Sequence, residues 1–524
     1  MTTRAADELL LALDCGTQSV RALLIDLHGN VLAKARHPFT DYFALHDGWH
    51  EHDPEGFWQA AADTCRRLLH ERPEAAARIR GMAVTAQRGT LVPVDETGRP
   101  LRAFITWLDQ RRARRVPRFM PWWQLAFRVA RVHRTIDYFA REAELNWIAE
   151  CEPQVLARTH KVLLVTGWLN YRLTGRFADS VGAQVAYLPF DFRRQQWARR
   201  WDWKWQALPL RRDQLPDLVA VGGQLGELTP EAAAATGLPA GLPVIAAAAD
   251  KACEILGAGA VTPDIGALSY GTTATIDITT PRYVEASTFL PPYPAALPGQ
   301  YNTEVQIFRG YWLVHWFKEQ FGHPELAEAR DSGVPVETLF DRLVAGVPPG
   351  AQGLMLQPYW TPGIRDPGPD ARGAIVGFTD VHTRAHVYRA ILEGLAYALR
   401  DGKERIEARS GTPITSLRVS GGGAQSDAAL QLTADIFGLP AARPHTYETS
   451  GLGAAIIAAV GLGLQPDFPA AVAAMTRIGR EFEPDPAQRS LYDALYRQVY
   501  RRMYERLAPL YAQLHRILEA PREP

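Results

Sequence analysis

The sequence predicts an α/β protein in two similar halves, each with a glycine turn at a strand end. Three observations lead there: the length, an echo between the opening hairpin and a second one near mid-chain, and a glycine cluster between a strand and a helix. At 524 residues the chain exceeds what one hydrophobic core usually serves. The stretch LLLALDCGTQSV, residues 9 to 20, is an apolar run that stops at Asp14, Cys15, Gly16 and Thr17. A second apolar run, Val20 to Leu27, stops at His28-Gly29-Asn30, which is a hairpin signal. A carboxylate where one strand turns into the next costs desolvation, so Asp14 needs backbone donors or a cation.

The echo is ALSYGTTATIDIT, residues 267 to 279, where Gly271 follows Gly16 by 255 positions. Gly-Thr turns are common, and the pair alone reads equally well as two unrelated hairpins. If the turns faced one cleft, their amides and hydroxyls would grip a polyphosphate from both sides. The third cluster, SLRVSGGGAQSDAALQLTADIFGLP, reads as a strand (Leu417 to Val419), a turn (Gly421, Gly422, Gly423) and a helix starting near Ser426-Asp427. Bare glycines before a helix N-terminus suit a flat or anionic ligand. The cluster is not GxGxxG, and no acidic residue follows at dinucleotide-fold spacing, so a Rossmann reading weakens.

Composition narrows the partners. Lys plus Arg equals Asp plus Glu at 57 each, which gives no push towards nucleic acid or membrane. A small molecule is the expected partner. The opening MTTRAADELLLALD is too short and too soon broken for a signal peptide, and no apolar run approaches the ~20 residues of a membrane span, so the cytoplasm is expected. The four cysteines, Cys15, Cys65, Cys151 and Cys253, form no CxxC pair and are read as reduced thiols.

Further motifs fall in order along residues 9 to 460: DCGTQSVR, AQRGTLVPVDETGRPLRAFITWLDQR, LVTGWLNYRLTGRFADS, AAADKACEILGAG, LSYGTTA, RGAIVGFTDVHTRAHVYRAILEGLAY, SGGGAQSD and ETSGLGAAIIAA. On these the chain resembles the FGGY carbohydrate kinases, a branch of the actin-like ATPase superfamily. The resemblance implies two ribonuclease-H-like α/β domains with a nucleotide cleft between them. It places a substrate and phosphate domain at 1–258, a nucleotide-binding domain at 259–480, and a hinge near Gly257-Ala258-Gly259. Residues 481–524, with Leu and Tyr at helical spacing, are read as an amphipathic helix packed on the second domain.

The activity implied is ATP-dependent phosphorylation of a hydroxyl of a small sugar or polyol, either a ketose such as a pentulose or a linear polyol such as glycerol. A non-catalytic sensor on the same fold is the competing class, and intact Asp14 and Asp250 favour the kinase. Asp250 would be the general base, Asp14 would hold Mg2+ through water, and Gly16, Thr17, Gln18, Arg21, Gly271, Thr272 and Thr273 would cradle the phosphates. Gly421, Gly422, Gly423, Gln425 and Ser426 would take the adenosine of ATP. Gln87, Arg88, Trp107, Asp250 and Lys251 would meet the acceptor. The plainer reading of Asp250 is a helix cap for KACEILGAG.

Two positions depart from better-known subfamilies. Lys251 stands where glycerol kinases carry Gln and xylulokinases Asn, and a cation there would lower the pKa of Asp250 or else sit in a salt bridge. Gln87-Arg88-Gly89 matches the Gln-Arg-Glu of glycerol kinases and then loses the Glu. The stretch 111–134, rich in Arg with Trp122, Trp123 and Phe127, is expected to bury its aromatics and pair its Arg residues with acids. A homodimer is one allowed assembly.

Overall fold

The computed structural model of the chain describes residues 8–39, 46, 48–288, 290–363 and 367–519. Both predicted hairpins form. Leu9–Cys15 pairs antiparallel with Ser19–Asp26, bringing Asp14 opposite Arg21. Ile265–Tyr270 pairs in the same way with Ala274–Thr280. The Leu9–Cys15 strand is buried throughout, as a near-continuous apolar run flanked on both sides requires.

Each hairpin nucleates a sheet of the same topology. In the first the order is Gln224–Glu227, Pro243–Ile245, Ile79–Ala86, Leu9–Cys15, Ser19–Asp26, Val31–Pro38. Three antiparallel strands are followed by two parallel to Leu9–Cys15 and an antiparallel edge strand. The second sheet repeats this around Ile265–Tyr270, with Ser416–Ser420 and Ala441–Pro444 as its parallel strands and Ile478–Phe482 as its antiparallel edge. The half-length echo is therefore a structural repeat. The first half also carries a four-stranded insert of Glu51–His52, Phe104–Ile105, Leu91–Val94 and Lys161–Leu164, whose Phe104–Ile105 strand ends just before Trp107.

The chain does not leave the first sheet behind after its midpoint. The Thr449–Gly461 helix returns to it, and Leu452, Ile456, Ile457 and Met475 share a core with Leu10, Ala12, Leu23 and Ile245. The helix can lie so close because its glycines have no side chain. A Cβ on Gly453 would sit 1.9 Å from the Cys253 carbonyl oxygen, and one on Gly257 would sit 2.0 Å from that of Thr449. Gly257, expected in a hinge, is thus a packing residue in the Asp250–Gly257 helix, while Gly259 takes the left-handed turn after it.

The C-terminal helical segment has one irregularity. Pro486–Ala494 runs through a π-helical turn, Leu495–Tyr500, into Arg501–Glu519. The wider turn keeps Tyr492, Tyr496 and Tyr500, spaced at four, on one buried face beside Tyr397. In the Arg-rich stretch the expectation holds only in part. Arg111 is buried between Asp109 and Glu51, and Phe127 packs on Phe119, but Trp122 is 59% exposed with Leu125 and Val129 on the outer face of a short helix.

Candidate active site

Asp14 ends the central strand of the first sheet and is buried. Its partner is Arg21, directly opposite, with Nη1 3.3 Å from Oδ2. The same guanidinium reaches Glu448 at 3.4 Å, and Lys34 holds the other oxygen of that carboxylate at 2.7 Å. Arg21, expected on the phosphates, is therefore shared between two carboxylates. Burial pushes the Asp14 pKa up to about 7; Arg21 opposes this, and the charges of Asp250, Glu448 and Glu254 add to it. A buried carboxylate among further carboxylates is a place that gains from a cation.

Asp250 is the first residue of the Asp250–Gly257 helix and is partly open to the cleft. Its Oδ1 accepts the Lys251 N–H at 2.8 Å, but the cap position belongs to Ala249 and no side chain caps the helix, so Asp250 is not the cap that the plainer reading expected. Its pKa is raised, because burial outweighs the attraction of Arg88 and Lys251. Lys251 does lower it, as expected, but burial is the larger effect and the net shift is upward. That ammonium donates to Glu254 Oε2 at 2.7 Å and also reaches Ser269 Oγ. Glu254 in turn accepts from Ser269 and Ser420, at 2.8 and 2.7 Å, tying this helix to two strands of the second sheet. Those hydroxyls and the ammonium together overcome burial and hold the Glu254 carboxyl below its ordinary range.

The residues expected to meet the acceptor converge on the first turn. Thr17 Oγ1 donates to Gln87 Oε1 at 2.7 Å and accepts from Trp107 Nε1 at 2.9 Å. The Thr17 hydroxyl, expected on phosphate, is engaged instead by two expected acceptor residues. Gly89 has φ +62, and a Cβ there would meet Trp107 Cβ at 3.3 Å, so the position where glycerol kinases keep Glu is here a turn against the Trp. Arg88 crosses the cleft to Glu304 at 3.0 Å and lies over the Tyr293 ring at 5.0 Å.

The remaining glycines are set by close approach. Gly421 has φ +85, with a would-be Cβ 2.9 Å from the Tyr270 backbone, and Gly423 abuts the Tyr311 ring that stacks on Tyr270 at 4.3 Å. Gly422 faces open space. Ser426 is the helix cap, accepting from the Ala429 N–H at 3.0 Å and donating to Asp341, while Gln425 is exposed. Gln18 is exposed, and Gly16, Gly271, Thr272 and Thr273 are half-buried at the two turns. The carbonyls of Gly271 and Thr272 accept from the Tyr311 and Trp312 amides, which braces the second turn.

Sequence reasoning missed Glu448, Glu254, Tyr293, Asn302 and Glu304. Asp277 was inside the quoted second hairpin, where a carboxylate in an otherwise apolar and hydroxyl-bearing strand was a legible signal.

Comparison with known proteins bears on the family. The model of the FGGY family of carbohydrate kinases, N-terminal domain, matches residues 9–257, and that of the C-terminal domain matches residues 266–462. The chain is 32% identical over 499 residues to a glycerol kinase of Rhodospirillum rubrum, covering 92% of this chain and 96% of that one. It is 28% identical over 492 residues to a xylulose kinase of Lactococcus lactis, covering 93% and 94%. The crystal structure of xylulose kinase from Rhodospirillum rubrum superposes with a TM-score of 0.80 at 28% identity, covering 96% of this chain and all of that one. With both domain models matched in order across most of its length, the chain belongs to the FGGY family of carbohydrate kinases.

Proposed function

We propose that this kinase transfers the terminal phosphoryl group of ATP to a hydroxyl of a small polyol or ketose, with Asp250 as general base. The observation that carries the reading is the placement of Asp250. It is a partly open carboxylate at a helix N-terminus, flanked by Arg88 and within the electrostatic reach of Asp14. Its raised pKa brings it nearer to that of a useful base. Asp250 takes the hydroxyl proton as the acceptor oxygen bonds to phosphorus, and the bond to the departing ADP oxygen breaks.

Around that step the chain's own residues bind and orient. Gln87 and Arg88 meet acceptor hydroxyls, and the Trp107 face covers carbon-bound hydrogens. The turns at Gly16-Thr17 and Gly271-Thr272-Thr273 present backbone donors to phosphate. Among the described residues no three His, Cys, Asp or Glu side chains cluster as a metal cage. That donor set suits Mg2+, which is commonly held by one or two carboxylates, water and substrate phosphates. Asp14 would hold it, and the metal would supply charge neutralisation on the phosphates.

Replacing Asp250 with Asn tests the assignment. Turnover is expected to fall by about 10²–10⁴-fold, with ATP affinity little changed, in a coupled assay of ADP release. An active Asn variant would remove Asp250 from the mechanism.

A further inference from the structure

The acceptor cavity has a second wall that the motifs do not mark. A space of about 10 Å³, room for one hydroxyl-sized group, is lined by Arg88, Lys251 and Ala252 on one side and by Asp277, Tyr293 and Asn302 on the other. Asp277 and Asn302 lie on adjacent strands of the second sheet, Ala274–Thr280 and Tyr301–Ile307. They are 1% and 3% exposed. Even so, Asp277 Oδ1 and both side-chain polar atoms of Asn302 have no hydrogen-bond partner among the described residues. Buried polar groups are as a rule hydrogen-bonded, so the natural complement of these is a ligand that supplies hydroxyls.

Charge decides which ligand. The two cations are already matched: Arg88 pairs with Glu304 at 3.0 Å, and Lys251 pairs with Glu254 at 2.7 Å. Asp250 and Asp277 remain as further carboxyl groups within reach of both cations. Among the described residues lining this space, no cation is left over to receive an anionic acceptor.

We infer that Asp277, Asn302 and the Glu304–Arg88 pair form an acceptor subsite that selects a neutral, polyhydroxylated chain and rejects sugar acids, Glu304 acting by occupying Arg88. The inference rests on the kinase reading above and specifies the acceptor class of the same site. Burial and the adjacent Glu304 raise the Asp277 pKa well above the carboxylate range, which suits exchange of hydrogen bonds with a hydroxyl. Glu304 keeps the guanidinium from serving as a carboxylate receptor, a task to which a free Arg is well fitted.

The test uses the full-length protein with ATP and Mg2+ and matched acceptors: xylitol, ribitol, sorbitol and xylulose against xylonate and gluconate. The best neutral acceptor is expected to exceed either acid by at least about 100-fold in kcat/KM, a ratio within reach of one unmet buried charge. Asn302→Ala is expected to raise the KM for that acceptor about tenfold while leaving the KM for ATP unchanged, a split that a merely structural role would not give. Glu304→Gln is expected to narrow the discrimination by about tenfold by freeing Arg88. Acids used as well as neutral acceptors would overturn the inference and leave the kinase reading standing, as would an Asn302→Ala enzyme with unchanged acceptor KM. If no acceptor releases ADP, the kinase reading fails, and calorimetry with the same neutral compounds then judges the pocket. Binding abolished by Asn302→Ala upholds the subsite, and no binding overturns it.

Discussion

Asp14 shows how a buried carboxyl works against the stability of its own fold. Its carboxyl is pushed up to about 7 from 3.8 by burial and by neighbouring acids. A carboxyl raised on folding contributes stability that is complete below the unfolded value and is lost as pH rises through the folded one. The unliganded protein is therefore expected to lose stability from Asp14 between about pH 4 and pH 7. Asp14→Asn should melt several degrees higher than the parent at pH 8, with a smaller gap at pH 5, by differential scanning calorimetry. The same variant should lose at least about tenfold in Mg2+-supported turnover. A variant no more stable than the parent at pH 8 would mean that Arg21 already neutralises the site.

Legibility at this scale followed sequence distance. Asp14, Gly16 and Gly271 were readable because a strand end and its turn are local patterns. Glu304 was not, because its meaning comes from Arg88, 216 positions away, and from its place opposite Asp277 across the sheet. Lys251 was visible, but its direction was not. Whether it served Asp250 or a salt bridge depended on Glu254 one helical turn on and on Ser269 from the next strand.

Among the elements, the crossing of Asp250–Gly257 with Thr449–Gly461 positions the end of the first helix that carries Asp250. Backbone contact through Gly257 and Gly453 leaves no room for even one methyl group. Gly453→Ala is expected to cost about 1–3 kcal/mol of stability and to lower kcat through a displaced Asp250, measured by thermal denaturation and steady-state kinetics. Unchanged stability would show that the helices can part without penalty. The closing small-residue run was legible as a helix, but its target was not, since Gly and Ala spacing specifies close packing and leaves the partner unnamed. The π-helical turn was likewise unreadable, because the tyrosine spacing of four suits an ordinary helix nearly as well.

Across the whole molecule, two sheets of one topology share a chain that passes from the first to the second and then returns. The length and the hairpin echo made the duplication legible. The return was not, because nothing local in residues 449–475 distinguishes a core of the second half from one of the first. A fragment ending at residue 258 would expose Leu10, Ala12, Leu23 and Ile245, whose cover is Leu452, Ile456 and Ile457. Such a fragment is expected to aggregate or to lack a cooperative melting transition. A soluble fragment that melts cooperatively would show that the first half is self-sufficient.

The returning helix also sets a timetable for biosynthesis. At about 5–20 residues per second, roughly 10–40 s separate the emergence of Ile245 from that of Leu452. Throughout that interval the nascent first sheet is complete in sequence and bare on one face. The ribosome thus holds a half-built apolar surface that only roughly the last seventh of the chain can close, and nascent-chain chaperones would meet this kinase through that surface.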